Sequence, residues 1–409
     1  MRYDVTIIGG GILGLSAGMV LLEHRPDLKL ILIEKESSWA SHQTGRNSGV
    51  IHSGIYYRPG SLKARFAKAG NRSILAFCQR YDLPVEICGK VIVATKVGEL
   101  PRLEALHKRG LENGLDVKKL GVEELQAVEP HVAGIGALFV PSTGIVNYGM
   151  VSRTMASEIK RLGGHLRLDT RVIGLGKISD SAGQLVSTSQ GEVETRLIVN
   201  CAGLHSDRVA RMGQAKIDSR IVPFRGEYYE LRPRARHLVR GLIYPVPDPA
   251  FPFLGVHFTR MIDGAVHAGP NAVLSLKREG YRKTDVSLWD TAEVLAFPGF
   301  WRLARKHVKN GLAEVVRSFS RTAFVHSLRR LIPNIQDSDV EPSPAGVRAQ
   351  ALTPTGELVD DFLIVEQESS IHVINAPSPA ATSSLEIAKH LVHRITSRLP
   401  MKKPFTRGS

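Results

Sequence analysis

Apolar positions along the chain fall into two rhythms. Largely apolar runs at Tyr3–Ile8 and Lys29–Ile33 read as buried strands. Between them Leu13–Glu23 carries apolar residues at helical spacing until Pro26 and Asp27 break it. The same reading predicts helices over Ser61–Tyr81, Glu99–Gly110, Gly121–Val128 and Tyr148–Leu162, with strands at Lys90–Thr95, His165–Leu168 and Glu194–Asn200. From Ile221 to Gly269 the pattern alternates, giving strands at Gly226–Leu231, Phe253–Phe258 and Ala265–Gly269. Pro245, Pro247, Pro249 and Pro252 punctuate them, which favours antiparallel strands with irregular edges. Trp289–Leu331 reads as mostly helical. The chain then ends on strands at Leu363–Val365 and Ile371–Ile374, a small-residue turn and a helix over Ala380–Ile395.

The opening strand–turn–helix carries Gly9, Gly11 and Gly14 as G-x-G-x-x-G. Gly9 allows the tight turn, Gly11 lets backbone approach a pyrophosphate, and Gly14 lets helix and strand pack closely. Glu34 follows 20 residues after Gly14, at the end of the second strand, where a carboxylate accepts hydrogen bonds from a ribose. The helix N-terminus adds unpaired N–H groups and partial positive charge for the phosphates. The same stretch is apolar enough to suggest a signal peptide, but it lacks a basic start and a small-x-small cleavage site.

A length of 409 residues exceeds one ordinary core, and 43% hydrophobic content suits a globular chain. The final strand–turn–helix points back to where the chain began, so the expected fold class is α/β. Residues 1–82, 145–218 and 332–398 form a discontinuous Rossmann-like nucleotide unit. An inserted, mainly antiparallel sheet with helices, over 83–144 and 219–331, forms a cap. A basic tail over 399–409 includes Lys402 and Lys403. No apolar run is long enough to span a membrane. Cys78, Cys88 and Cys201 are odd in number and lack C-x-x-C spacing, which argues against a disulfide framework or metal site and suits a reducing cytoplasm. The net charge of +15 leaves four readings: nucleic acid, an anionic membrane face, focusing of an acidic substrate, or a plain solvated surface. The charges are scattered without a Lys/Arg block, so nucleic acid is not expected as a partner. Phe297, Phe300 and Trp301 beside Arg302, Arg305, Lys306 and Lys309 suggest peripheral contact with the inner face of the cell membrane, the alternative being a packing helix with a solvated basic side.

Longer motifs are more specific. Arg46-Asn47-Ser48-Gly49-Val50-Ile51-His52-Ser53-Gly54-Ile55-Tyr56-Tyr57, Pro59-Gly60-Ser61-Leu62-Lys63, Arg225-Gly226-Glu227-Tyr228-Tyr229, Leu254-Gly255-Val256-His257-Phe258-Thr259, Gly269-Pro270-Asn271-Ala272 and Asn375-Ala376-Pro377-Ser378-Pro379-Ala380-Ala381-Thr382 run through nearly the whole chain. With them the sequence resembles the FAD-dependent oxidoreductases of the D-amino-acid oxidase type, and within that superfamily the L-2-hydroxyglutarate oxidases and dehydrogenases. Cys201 departs from the pattern, standing where alanine is common. The resemblance implies an FAD enzyme that oxidises L-2-hydroxyglutarate, a small dicarboxylate, to 2-oxoglutarate by hydride transfer from C2 to flavin N5, with oxygen or a quinone as electron acceptor. Another 2-hydroxy acid, an amino acid or glycerol 3-phosphate is the alternative substrate.

The residues then sort by chemistry. Gly9, Gly11, Gly14 and Glu34 hold the dinucleotide, and the resemblance places Ser48 and Gly49 against the cofactor and His52 near the isoalloxazine. Cofactor contact is also expected of Ile12, Lys35, Asn47, Val172, Ala202 and Gly203. Gly346 belongs to a neighbouring wall, and Pro377, Ser378, Ala380, Ala381 and Thr382 form a turn whose helix dipole would face the flavin. Ser378 serves alternatively as a plain helix cap. A neutral imidazole can take the hydroxyl proton near pH 7. His257 and His52 are the candidate bases, with His257 preferred because it projects from the inserted sheet. Arg225, Tyr228, Thr259, Arg348 and Tyr57 are candidate clamps for the carboxylates.

Overall fold

A computed structural model describes residues 2–178, 183–248 and 254–399. The strand Arg2–Ile8 is buried at every position after the first, as a strand covered on both faces must be. It pairs parallel with Leu30–Ile33 on one side and Gly191–Asn200 on the other. The C-terminal strand Ser370–Asn375 lies parallel beside Gly191–Asn200, with Ile198 opposite Ser370. Strands from both ends of the chain thus belong to one sheet.

The helix Ile12–His24 is apolar around most of its circumference and is buried accordingly, at Ile12 and from Gly14 to Leu22. It packs against the helices Tyr148–Arg161 and Ser384–Thr396, and Ser16 Oγ donates to the Ser384 carbonyl at 3.1 Å. The last helix starts at Ser384, not at Ala380: Pro377 and Pro379 lack N–H groups, and residues 376–383 run as successive turns. Its N-cap is Ser383, so Ser378 caps nothing.

A second, nine-stranded sheet is mainly antiparallel, with one parallel pair between Leu242–Pro245 and Lys90–Ala94. Its longest strands, Arg220–Leu231 and Val340–Leu352, pair along their length. Val340–Leu352 falls inside the 332–398 segment assigned from sequence to the nucleotide unit, but it joins this second sheet. The strand expected at Phe253–Phe258 is displaced: it runs over His257–Arg260, Leu254–Val256 is irregular, and Phe253 lies outside the described residues, as do Pro249, Pro252, Lys402 and Lys403. Arg278, reaching in from beyond this sheet and only 2% exposed, is ion-paired to the fully buried Asp207 below the first sheet. That pair joins the two halves.

The stretch from Trp289 to Leu331 breaks into four helices: Leu288–Leu295, Pro298–Lys306, Val308–Phe319 and Arg321–Leu328. Ser287 and Ser320 cap two of them with their hydroxyls. Two of the three aromatics expected at a membrane, Phe297 and Phe300, point inward. Phe297 is buried among Val222, Phe224 and Leu352 with Phe300 packed against them, and only Trp301 turns outward.

Gly14 sets the distance between the first strand and first helix. A Cβ there would stand 2.0 Å from the Gly9 carbonyl oxygen, whereas one on Gly18 would meet only the movable tips of Ile159 and Ile7. Gly14→Ala should therefore cost about 1–3 kcal/mol of stability and lose bound FAD, while Gly18→Ala should melt at or above the wild-type temperature. Thermal melts with flavin absorbance check both. Equal behaviour of the two variants would refute this packing account.

Candidate active site

A cavity of about 680 Å³ is lined from both sheets, a size that suits a buried cofactor. At one end lie Gly9, Gly11, Ile12 and Glu34. Gly9 has φ +112°, and a Cβ on it would meet the Cys201 carbonyl oxygen at 2.4 Å, so only glycine fits this turn. Gly11 is the N-cap of the first helix and brings no side chain. Thr44 Oγ1 accepts from the Ile12 N–H instead, at 3.0 Å. The Glu34 carboxylate accepts from the N–H groups of Gly10 (2.6 Å) and Glu36 (2.9 Å). Those two bonds fix it against the glycine turn and leave lone pairs for a ribose. These features form a cradle that fits a dinucleotide.

Val172, Ala202, Gly203 and Gly346 also line the cavity. Lys35 also lines the cavity, but its ammonium pairs with Glu36 and Glu279 and sits 3.1 Å from His42 Nε2. Glu36, His42 and Glu279 have the spacing of a metal triad; the Lys35 ammonium takes the place of a cation there.

The far end is built by two loops locked together. Asn47 lines the cavity and holds its own loop, donating to the carbonyls of Gln43 and Thr44 and accepting from the Gly49 N–H. Thr382 Oγ1 accepts from the His52 N–H (3.1 Å) and shares a hydrogen bond with Tyr148 Oη (2.9 Å). Ser48, His52, Tyr228, Arg348, Pro377, Ser378, Ala380, Ala381 and Thr382 all line this end.

Several sequence candidates stand elsewhere. Gly14 and Gly49 do not line the cavity; Gly49, at φ +65°, passes close to the Val146 carbonyl oxygen. Arg225 is buried in a fork with Glu227 (3.1 and 3.0 Å) and donates to the Arg282 carbonyl, so its guanidinium is not offered to the cavity. Thr259, 2% exposed, bonds to Tyr244, and Tyr57 bonds to Ser378; neither lines the cavity.

His257 is likewise not part of the cavity lining; its ring is stacked on Tyr244 at 3.9 Å between centroids. Its Nδ1 is 2.9 Å from the Gly255 carbonyl, an acceptor, which places the proton on Nδ1 and the lone pair on Nε2. His52 Nδ1 is buried without a partner, while its Nε2 is 3.4 Å from Ser378 Oγ. Burial, with Lys90 and His257 as further causes, holds His52 down to about 3. Burial, Arg348 and Lys90 hold His257 down to about 3 as well, against the Gly255 carbonyl that favours its charged form. Both imidazoles are therefore neutral acceptors.

Sequence reasoning missed Lys90, Tyr56, Tyr244 and Thr44. Lys90 heads the strand Lys90–Ala94, every residue of which is buried. A lone lysine opening an otherwise apolar strand is the signal that was there to read. Its Nζ is 4.4 Å from the Tyr56 ring centroid and 5.0 Å from that of Tyr244, and burial lowers it to about 7.

From residue 4 to residue 394 the chain matches the family model described as FAD dependent oxidoreductase (DAO). The L-2-hydroxyglutarate dehydrogenase of Indibacter alkaliphilus is 51% identical over 389 residues, covering 95% of this chain and 97% of that protein. Its namesake in Escherichia coli is 47% identical over 398 residues, 97% of this chain and 94% of that protein. The mitochondrial one of Mus musculus is 43% identical over 410 residues, 96% and 88% respectively. Among solved structures, dithionite-reduced L-alpha-glycerophosphate oxidase from Mycoplasma pneumoniae, with FAD bound, superposes with a TM-score of 0.80 at 22% identity, covering 99% of this chain and 97% of that one. Glycine oxidase from Geobacillus kaustophilus gives 0.70 at 19% identity, covering 96% and 95%. At these identities the structural likeness speaks for the fold.

Lys90 also makes stability depend on pH. An unfolded lysine keeps its proton up to its ordinary 10.5, whereas the folded one loses it near 7. Between those values the unfolded chain binds more protons, so this residue's contribution to stability rises with pH. Lys90→Met should melt above wild type at pH 7, with the gap narrowing as the pH approaches 10. A gap independent of pH would contradict the burial of this ammonium.

Proposed function

The chain belongs to the FAD dependent oxidoreductase family, and on that premise we propose that it oxidises L-2-hydroxyglutarate to 2-oxoglutarate. The observation that carries this is agreement along the whole length: relatives at 43–51% identity bearing that dehydrogenase name match 95–97% of the chain. The cavity has the matching chemistry, with His52 and Arg348 on its lining and the neutral imidazole of His257 stacked on Tyr244 close to Arg348.

When bound, FAD supplies the acceptor for the hydride that leaves C2. Gly9, Gly11, Ile12, Glu34, Ala202, Gly203 and Thr382 are the residues that would hold it. On the protein side, the substrate hydroxyl gives its proton to an imidazole as the carbonyl forms. His257 Nε2 is our choice of base, since its Nδ1–H is committed to the Gly255 carbonyl; His52 is the second. Both are held neutral largely by burial next to cations, and an incoming dicarboxylate offsets those cations and makes the imidazoles more basic as it binds. Arg348 and Tyr228, on the cavity wall, receive the carboxylate next to the reacting carbon.

The electron acceptor we favour is a quinone over oxygen, met at a membrane surface. Leu288 (85% exposed), Trp289 (73%), Leu312 (64%) and Phe319 (76%) stand out from the helices over 288–319, near Arg302, Arg305, Lys306 and Lys309. Exposed apolar side chains among basic ones suit an interfacial helix. No helix among the described residues is long and apolar enough to cross a membrane.

Anaerobic L-2-hydroxyglutarate should bleach the flavin while the D-enantiomer does not, and His257→Gln should slow bleaching by about 10²–10⁴-fold. Bleaching by D- as readily as by L-substrate, or unimpaired reduction in His257→Gln, would overturn the respective assignment. Wild type should co-sediment with vesicles containing anionic lipid, and Trp289→Ser/Phe319→Ser should not. Wild type that stays in the supernatant at low salt would rule out docking.

A further inference from the structure

Close to the two histidines are Lys90 and Tyr56, buried polar groups with no part in the proton transfer. Lys90 is 1% exposed, and its Nζ faces the rings of Tyr56 and Tyr244. Aromatic faces attract a cation, but among the described residues no carboxylate or hydrogen-bond acceptor meets this ammonium. Burial alone acts on its proton. A buried ammonium left in that condition is costly, and proteins rarely keep one without a partner. Two neighbouring atoms are orphaned as well: Tyr56 Oη and His52 Nδ1 are buried without hydrogen bonds. Unsatisfied buried groups are infrequent singly. Lys90 Nζ faces the Tyr56 ring and its charge also bears on His52; a donor-only cation beside such groups fits a compact anion with several acceptor oxygens.

Position narrows the choice. His52, Tyr228 and Arg348 line the cavity, whereas Lys90 and Tyr56 are not part of its lining. Arg348 and Lys90 both act on His257 as cations, and of the two Arg348 lines the cavity, so two cations bear on the imidazole. A 2-hydroxy diacid has two anionic groups to match, with one carboxylate beside the reacting carbon and another beyond a short aliphatic spacer.

We propose that Lys90, with Tyr56 and His52, forms the seat for the substrate's second carboxylate, the one remote from the carbon being oxidised. The assignment rests on the substrate class proposed above. Arg348 then holds the near carboxylate, and Lys90 makes the site selective for a diacid. A monoacid of the same shape leaves the ammonium buried and unpaired, and a site built to pair a polar group rejects the analogue lacking it.

The test uses the full-length, FAD-loaded chain as wild type, Lys90→Met and Lys90→Arg. Anaerobic flavin reduction is followed with L-2-hydroxyglutarate and with L-2-hydroxybutyrate, which lacks only the remote carboxylate. Binding of the unreactive acids glutarate and butyrate is followed by perturbation of the flavin spectrum. Wild type should bind glutarate at least about 30-fold more tightly than butyrate. Lys90→Met should lose about 10²–10⁴-fold in kcat/KM for the diacid, carried by KM, while L-2-hydroxybutyrate changes less than about threefold. The conservative Lys90→Arg should recover part of the diacid preference. Equal losses for both substrates, no loss for either, or equal wild-type affinity for glutarate and butyrate would overturn the proposal. Should Lys90→Met fail to fold, the wild-type glutarate-to-butyrate ratio and Lys90→Arg still decide it. Failure of the substrate reading itself shows separately, as wild type that binds glutarate but is not reduced by L-2-hydroxyglutarate.

Discussion

Thr382 supplies the contact on which the site depends. Its hydroxyl lies at the junction of three remote parts of the chain: the loop carrying His52, the helix beginning at Tyr148, and the C-terminal turn to which it belongs. The junction leaves no slack. A Cβ on Gly70 would meet the Thr382 carbonyl oxygen at 2.5 Å, and the first and last helices are tied by Ser16 and Ser384. Parallel pairing of Gly191–Asn200 with both Arg2–Ile8 and Ser370–Asn375 carries the same convergence into the sheet. The cavity exists because both chain ends are held at this point, and the nine-stranded sheet closes over it.

Electrostatics divide the cavity into two regimes. Toward the glycine turn, charges are paired: Lys35 with Glu36 and Glu279, Arg208 with Asp290 and Glu293. Such pairs hold structure and leave the dinucleotide to backbone N–H groups and Glu34. Toward His52 and His257 lies a buried ammonium, that of Lys90, which faces aromatic rings, and both imidazoles are kept neutral by burial. A carboxylate ligand would bring negative charge to this buried ammonium and its neutral imidazoles.

Where function rests on local backbone chemistry, the sequence was legible. The glycine turn, Glu34 and the small-residue turn at 376–382 are each contained in one short motif, and all line the cavity. Side chains whose roles come from tertiary contacts were harder to read. Lys90 is buried by Tyr56 and Tyr244, which are distant in sequence, so only its place on an apolar strand marked it. Arg225 has the look of a carboxylate clamp, yet Glu227 lies two residues along the same strand and therefore on the same face, where it captures the guanidinium. Phe297 could have faced lipid or protein by its pattern alone. The sheet strands Arg220–Leu231 and Val340–Leu352 behind it decided for protein.

The most direct measurement is a crystal structure of the flavin-loaded chain with 2-oxoglutarate bound. The account predicts the isoalloxazine between the 376–382 turn and His52, the oxo group facing an imidazole, and the remote carboxylate in hydrogen-bond contact with Lys90 Nζ. A flavin ring lying away from both loops, or a product held only by surface cations with Lys90 still sealed beneath its tyrosines, would contradict it.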